Sequence, residues 1–234
     1  MAIIKEQIAL LDGFVNAFEA TGTLFPSSAW AARELSKPVL DIRGPKNILE
    51  AGAGTGPVTL QIMKDMHPGD TFTICELNPK LAEILKINIE KDENYQRLKS
   101  NIKIFIGPVQ ELSEDTPFDV IVCALPFLNF PISLTREIFA KFYKMSTSNT
   151  HITWYEYIGL RKINKVVARP EKKKKLRDFE IFWKELSGKA PIKKKRVWLN
   201  MLPINVYRTK LCVPKKTNNF VAEKQQGYFA SNAS

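Results

Sequence analysis

The protein has 234 residues, of which 44% are apolar and 25% are charged, a balance typical of a globular chain rather than a disordered one. Its formal net charge is +11, yet residues 165–216 hold 17 Lys and Arg against 4 Asp and Glu, a net charge of +13 that leaves −2 for the rest. We therefore expect this one segment to face an anionic partner. The three cysteines lack metal-ligand spacing and there are two histidines, which excludes a disulfide framework and predicts no metal site.

The N-terminal residues 1–44 predict a helical cap. Apolar side chains recur three or four positions apart, as on an amphipathic helix, at Ile4, Ile8, Leu11, Val15 and Phe18. Ser27 or Ser28 can cap a second helix that ends near Ser36. Acidic residues within the first 20 positions argue against a cleaved signal peptide. No apolar run reaches the roughly 18–20 residues of a membrane span.

Residues 45–214 predict one α/β domain. Short apolar runs predict strands at 48–50, 71–75, 102–106, 120–124 and 152–157. Helical patterns lie between them at 58–66, 79–89 and 132–143. Strands that alternate with helices in this way imply crossover connections and a parallel sheet.

The first part of the basic segment, about residues 165–196, is predicted to be an insertion in this domain. It contains a predicted helix over 169–186 that includes the run Lys172 to Lys175. A second basic run at 193–196 leads into predicted strands at 197–199 and 204–211, and Pro203 supplies the turn between them. Residues 215–234 are polar and predict a disordered tail.

The sharpest local motif is a glycine-rich turn between the first strand and the next helix, Glu50-Ala51-Gly52-Ala53-Gly54-Thr55-Gly56. Glycines let the backbone turn sharply beside a ligand, and the helix N-terminus supplies free N–H groups. A dinucleotide fingerprint would need glycine where Pro57 stands. Glu76 ends the next strand, where a carboxylate can accept hydrogen bonds from both ribose hydroxyls. The alternative is a turn that merely joins a strand to a helix.

This motif, with the acidic residue that closes the next strand, resembles class I S-adenosylmethionine-dependent methyltransferases over residues 45–157. The resemblance implies a Rossmann-like, mostly parallel seven-stranded sheet with helices on both faces and S-adenosylmethionine as cofactor. The cofactor-binding residues it implies are Glu50, Gly52, Gly54, Gly56, Glu76, Val109 and Ala124. Such enzymes commonly hold adenine with an acidic residue after the third strand. Here that stretch reads Ile106-Gly107-Pro108-Val109-Gln110, so we assign the adenine contact to the Val109 backbone.

Four further segments together resemble the bacterial phospholipid N-methyltransferases that act on phosphatidylethanolamine. They are Phe25-Pro26-Ser27-Ser28, Leu125-Pro126-Phe127-Leu128-Asn129-Phe130-Pro131, Trp154-Tyr155-Glu156-Tyr157, and the stretch from Trp198 to Tyr207. The resemblance implies that Tyr157 accepts or relays the proton of the substrate amine and that Asn129 orients this amine. The alternatives are that Tyr157 is a packing aromatic residue and Asn129 a turn residue.

The expected partners follow from this resemblance and from the charge. We expect an anionic membrane surface and a phospholipid substrate, and a cytoplasmic protein bound peripherally to the inner membrane. The two basic runs supply the attraction, and helix 4–18 lies at the bilayer surface or else covers the core. A solvated charged face is the plain alternative for the basic runs.

An RNA substrate is the second functional hypothesis. Adenine-N6 methyltransferases of ribosomal RNA have a similar Asn-x-Pro-aromatic motif at the end of the fourth strand. In this chain Ala124 occupies the Asn position, which counts against methylation of a base. RNA is a partner only under this alternative.

Overall fold

The computed structural model describes residues 28–158, 170–199 and 202–211. The predicted helix at 4–18 and the predicted tail at 215–234 lie outside these ranges. The helices are α1 (Ala29–Asp41), α2 (Pro57–Asp65), α3 (Pro79–Glu90), α4 (Glu93–Leu98), α5 (Ile132–Lys144) and α6 (Pro170–Lys189). The strands are β1 (Asn47–Ala51), β2 (Thr71–Glu76), β3 (Ile102–Ile106), β4 (Phe118–Cys123), β5 (Ser146–Tyr157), β6 (Lys193–Val197) and β7 (Ile204–Leu211). Short 3-10 helices span Lys99–Asn101, Val109–Glu111 and Phe127–Asn129.

All seven strands form one sheet in the order β3-β2-β1-β4-β5-β7-β6. Strands β1 to β5 are parallel, and β7 runs antiparallel to both β5 and β6. The mostly parallel, seven-stranded Rossmann-like sheet is thereby confirmed. The strand order changes direction between β1 and β4, and ligands of open α/β sheets bind in the crevice beyond the carboxyl ends of the strands at such a point.

Helices cover both faces of the sheet, as predicted. On one face, α5 and α6 bury an aromatic cluster that includes Phe139, Trp154 and Phe182. On the other face, α1, α2 and α3 bury a mainly aliphatic cluster. The basic helix α6 is part of the aromatic cluster, to which it contributes Phe179, Phe182 and Leu186. Its side chain Leu176 is buried as well. None of the helices within the described ranges is long and apolar enough to cross a bilayer.

Several elements depart from the sequence-based boundaries. Strand β5 begins at Ser146 rather than at residue 152, and α4 was not predicted. Helix α1 continues past Ser36 and through Pro38 to Asp41, and Arg208 contacts it at two points, with Nη2–Glu34 Oε1 and Nη1–Asp41 Oδ2 distances of 3.0 Å each. Strand β6 is the basic run itself, Lys193–Val197, rather than the apolar stretch at 197–199. It is an edge strand whose first four side chains are exposed, so its sequence lacks the apolar alternation of a half-buried strand.

Candidate functional site

The glycine turn leaves β1 at the crevice. Gly52, Gly54 and Gly56 all have positive φ, at +83°, +57° and +97°. A Cβ on Gly56 would lie 2.6 Å from the Leu85 Cδ1 atom, so only glycine fits there. A Cβ on Gly54 would meet nothing within 4 Å, and Gly54 lines the large cavity described below. The turn thus packs tightly against the protein at Gly56 and is open at Gly54.

The Glu76 carboxylate connects the end of β2 to this turn. Its Oε2 atom accepts a hydrogen bond from the Gly54 N–H at 2.7 Å, and its Oε1 atom accepts one from the Asn78 N–H at 2.8 Å. Burial raises the pKa of Glu76, and the backbone N–H donors of Asn78, Gly54 and Leu77 partly offset this rise. Each carboxylate oxygen has a second lone pair, so Glu76 can still accept hydrogen bonds from a ligand.

Glu50 lies behind the turn rather than at its open side. The side chain is fully buried, its Oε2 atom accepts a hydrogen bond from Thr59 Oγ1 at 2.6 Å, and Oε1 has no hydrogen-bond partner within the described part of the chain. Burial is the main cause that raises the pKa of Glu50 to about 8. At neutral pH the Glu50 carboxyl group therefore holds a proton, and the residue supports the turn from below.

We predict that Glu50 makes the stability of the protein fall as pH rises. Between the ordinary pKa of 4.5 and the folded value of about 8, the unfolded carboxyl group is ionised while the folded one keeps its proton. Unfolding therefore releases a proton, and the free energy of unfolding decreases across this window. Glu50→Gln should remove the decrease while keeping an acceptor for Thr59. Urea unfolding of both proteins from pH 5 to pH 8 measures it, and parallel pH profiles would contradict it.

A cavity of about 140 Å³, open to solvent, lies at the carboxyl ends of β1, β2 and β4. Five of the predicted cofactor residues line it, namely Gly52, Gly54, Glu76, Val109 and Ala124. The other two, Glu50 and Gly56, are not among its lining residues: Glu50 is hydrogen-bonded to Thr59 of α2, and Gly56 packs against Leu85. Leu77 and Gln110 also line the cavity. Sequence analysis missed these two, although each directly follows a predicted site residue.

A second, smaller cavity of about 20 Å³ brings together both predicted catalytic residues, Asn129 and Tyr157. Pro126 lines both cavities, so the two are neighbours at the end of β4. Sequence analysis missed Tyr155 and Glu156, which also line the smaller cavity. The Glu156 side chain is buried and accepts a hydrogen bond from the Tyr207 hydroxyl at 3.3 Å.

The Tyr157 hydroxyl is a weak acid in this environment. Burial raises its pKa above the ordinary value of 10, and a hydrogen bond from Tyr155 partly offsets the rise. The rings of the two tyrosines are in edge contact, with their centroids 5.4 Å apart. Tyr157 is therefore a neutral phenol at physiological pH, and it can accept a proton only through an oxygen lone pair while its own proton moves on.

The larger cavity fits the cofactor that the sequence predicts. Its walls are mainly apolar with a few polar groups, as in cofactor sites, where such groups set the orientation of the ligand. Glu76 can offer acceptors to a ribose diol, Gly54 leaves space beside the backbone, and Val109, whose backbone is the predicted adenine contact, lines the cavity. Across the described ranges, no three His, Cys, Asp or Glu side chains cluster as metal ligands would.

Comparisons with known proteins point to the same chemistry. Residues 48–149 match the sequence profile of a family described as a methyltransferase domain. The fold is similar to that of an O-methyltransferase from Bacillus cereus solved in complex with SAH, with a TM-score of 0.60 and 16% identity over 87% of this chain and 91% of that one. At this identity the similarity shows the fold.

Two curated relatives differ in their substrates. An ornithine lipid N-methyltransferase of Singulisphaera acidiphila is 26% identical over 136 residues, which are 58% of this chain and 70% of that protein. A tRNA1(Val) (adenine(37)-N6)-methyltransferase of Haemophilus influenzae is 28% identical over 123 residues, which are 52% of this chain and 50% of that protein. The chain thus spans only half the length of the tRNA enzyme it matches.

Proposed function

We propose that this protein, an S-adenosylmethionine-dependent methyltransferase of the class I fold, methylates the primary amine of a membrane lipid, with phosphatidylethanolamine and its mono- and dimethyl products as the expected substrates. The observation that carries the proposal is the apolar wall of the cofactor cavity at the end of β4. There Ala124 is followed by Leu125, Pro126 and Phe130, and Leu134 of α5 continues the same wall. Similarity to an ornithine lipid N-methyltransferase supports a lipid amine as acceptor.

The wall suits a lipid better than a base. An enzyme that methylates a base reads its edge with polar groups while stacking its face on an aromatic ring. Ala124 offers no such polar group, and the Phe127 ring is buried in the aromatic cluster with 1% exposure. An apolar wall instead tolerates the glycerol and first acyl carbons of a lipid whose head group enters the site.

The two cavities divide the work of the reaction. When bound, S-adenosylmethionine supplies a methyl group activated by a positively charged sulfur. Glu76 and the backbone of the glycine turn hold the cofactor end of the site. The substrate amine, with a pKa of about 10, must lose its proton before it can attack. The apolar surroundings favour this loss, because burial disfavours the ammonium form.

The smaller cavity orients the amine and takes its proton. The Asn129 carbonyl oxygen can accept a hydrogen bond from one N–H of the amine and direct its lone pair toward the methyl group. Tyr157 lines the same cavity, and its neutral hydroxyl can accept the amine proton on oxygen while its own proton passes to solvent water at the open side of this cavity. Alignment of the two reactants supplies much of the remaining acceleration.

We predict that Tyr157→Phe lowers kcat by about 100-fold, at the lower end of the range for general acid–base catalysis. The affinity for S-adenosylmethionine should stay within twofold of wild type, because Tyr157 does not line the cofactor cavity. Single-turnover rates and calorimetry measure the two quantities. Loss of cofactor affinity together with rate would mean that Tyr157 is a packing residue.

The direct test of the proposal is the identity of the labelled product. The enzyme is incubated with methyl-labelled S-adenosylmethionine, vesicles that contain phosphatidylethanolamine or ornithine lipid, and total RNA in separate reactions. We expect label in phosphatidylethanolamine and none in RNA. Label in ornithine lipid alone would keep a lipid amine as the acceptor but exclude the expected head group.

RNA methylation is the second candidate function. It is favoured by the similarity to tRNA adenine-N6 methyltransferases and by the basic segment, which would also attract RNA. Label in RNA and none in any lipid would establish this alternative. Ala124→Asn then serves as a further comparison, since it places the missing base-reading group at the end of β4.

A further inference from the structure

The connection between β6 and β7 exposes large apolar side chains next to a basic strand. Trp198 is 63% exposed, Leu199 is 66% exposed and Leu202 is 40% exposed. We call these three residues the hairpin tip. They follow directly on β6, whose side chains Lys193, Lys194, Lys195 and Arg196 are exposed. Clustered exposed apolar side chains beside charged ones mark an interaction surface rather than scattered surface residues.

The strand register places the hairpin tip at the same end of the sheet as the two cavities, where the carboxyl ends of the parallel strands lie. Val197, the last residue of β6, pairs with Ile204, and Ile204 pairs with Tyr157 at the end of β5. Two strand spacings of about 4.8 Å therefore separate the backbones of Val197 and Tyr157 by about 10 Å. The tip begins one residue beyond Val197, at the end of the sheet where the carboxyl ends of β1 to β5 lie.

The basic strand is available to an external partner. Among the described residues, the ion pairs involve other cations, and none includes a side chain from the run Lys193 to Arg196. Lys194 Nζ lies 5.8 Å from the centre of the Tyr207 ring, a cation–π contact, and the side chains of Lys193, Lys195 and Arg196 are exposed. Each basic residue beside an anionic membrane adds to the attraction, and the attraction falls off within a Debye length.

We propose that the hairpin tip inserts into the head-group region of an anionic bilayer while β6 binds the lipid phosphates. Trp is enriched at the boundary between acyl chains and head groups, and an apolar anchor combined with a basic patch holds a protein at a membrane more firmly than either alone. Leu199 and Leu202 favour a bilayer over RNA, since aliphatic side chains bury well in lipid but do not stack on bases. The choice of a bilayer rests on the proposed function.

The first experiment measures vesicle binding in the absence of a methyl donor. Vesicles of phosphatidylethanolamine and phosphatidylglycerol at a 3:1 ratio are sedimented with wild type, Trp198→Ser or Leu199→Gln. We expect each variant to lower the partition coefficient about tenfold. Leu40→Gln is the matched control, because Leu40 is 59% exposed at the end of α1 that contacts Arg208, the partner of Lys193 at the other end of β6 from the tip, and it should stay within twofold. Equal losses in all three variants, or no loss at the tip, overturn the proposal.

The second experiment tests the basic strand and the depth of the tip. Lys193→Gln, Lys195→Gln and Arg196→Gln combined should weaken binding at least as much as a tip variant, and most strongly at low salt. The control is Lys86→Gln, Lys91→Gln and Lys99→Gln combined, which removes three exposed charges elsewhere. A Trp30→Phe background still contains Trp154 and Trp183, so the emission of Trp198 is taken as the difference between this protein and the same protein with Trp198→Phe. This difference should shift to the blue on vesicle binding and be quenched by brominated lipid. An unchanged spectrum in bound protein overturns insertion.

These outcomes separate the hairpin from the proposed reaction. If wild type binds vesicles through the tip but labels no lipid, the proposed function fails and the hairpin inference stands. If lipid is labelled while the tip variants bind like wild type, the hairpin inference fails and the reaction stands. If the tip variants lose tRNA binding in a gel shift and keep vesicle binding, the surface serves RNA and the inference is overturned.

Discussion

Replacement of Glu76 by alanine is expected to lower the affinity for S-adenosylmethionine by about 30- to 150-fold. The carboxylate holds the Gly54 N–H at 2.7 Å and the Asn78 N–H at 2.8 Å, so its loss removes both the contacts to the cofactor and the support of the turn. Hydrogen bonds to a charged group contribute about 1.5–3 kcal/mol each, and a loss of about 2–3 kcal/mol corresponds to this change in affinity. Isothermal titration calorimetry measures it.

The control for Glu76 is an acidic residue on the adjacent helix. Glu83 of α3 is exposed, and Glu83→Ala should bind the cofactor as wild type does. Glu76→Gln should fall between wild type and Glu76→Ala, because an amide keeps one acceptor but turns a donor toward a backbone N–H. NAD should bind none of these proteins, since Pro57 replaces the glycine of its fingerprint. Wild-type affinity in Glu76→Ala would refute the assignment.

Replacement of Phe139 by alanine is expected to lower the free energy of unfolding by about 3–5 kcal/mol. Phe139 is 2% exposed. Its ring centroid lies 5.1 Å from that of Phe127, 6.0 Å from that of Trp154, 5.2 Å from that of Phe182 and 5.6 Å from that of Trp183. It therefore joins α5, β5, α6 and the 3-10 helix after β4, and truncation leaves a cavity where all four meet. Urea denaturation followed by circular dichroism measures the change.

The control for Phe139→Ala is the truncation of an exposed apolar residue outside the core. Ile181 of α6 is 47% exposed, and Ile181→Ala should cost no more than about 1 kcal/mol. Phe139→Leu, which refills most of the volume, should recover more than half of the loss. A cost for Phe139→Ala as small as that for Ile181→Ala would show that the aromatic cluster tolerates collapse around the vacancy.

The cofactor end of the site was predictable because its chemistry is local in sequence. A glycine turn must directly follow β1, and the carboxylate that supports it must end β2, so both could be recognised without a fold. The order of strands and helices was equally readable from apolar runs. The role of Glu50 could not be predicted from the sequence. Whether a strand side chain points into the site or behind the turn depends on the residue that packs against it, here Thr59.

The acceptor end needed the three-dimensional fold. The smaller cavity exists because β5 lies beside β4 and extends three residues beyond Trp154, the partner of Cys123. Tyr155 and Glu156 read as ordinary strand residues in the sequence, and only this register makes them neighbours of Asn129. Strand β6 was misplaced for a related reason, since an edge strand with exposed side chains has no apolar face for a pattern to reveal.

Strand β6 also affects how copies of the protein meet each other. A strand at the end of a sheet offers unpaired N–H and C=O groups to which a strand of another molecule can add, and lysines along it oppose such an approach. Four consecutive basic residues protect β6 from this form of aggregation. The opposite edge, β3, carries Lys103 as its one charged residue among five. Edge-to-edge association at high concentration is therefore expected to begin at β3, and a second lysine at its exposed end, Ile106→Lys, where Ile106 is 43% exposed, should suppress it.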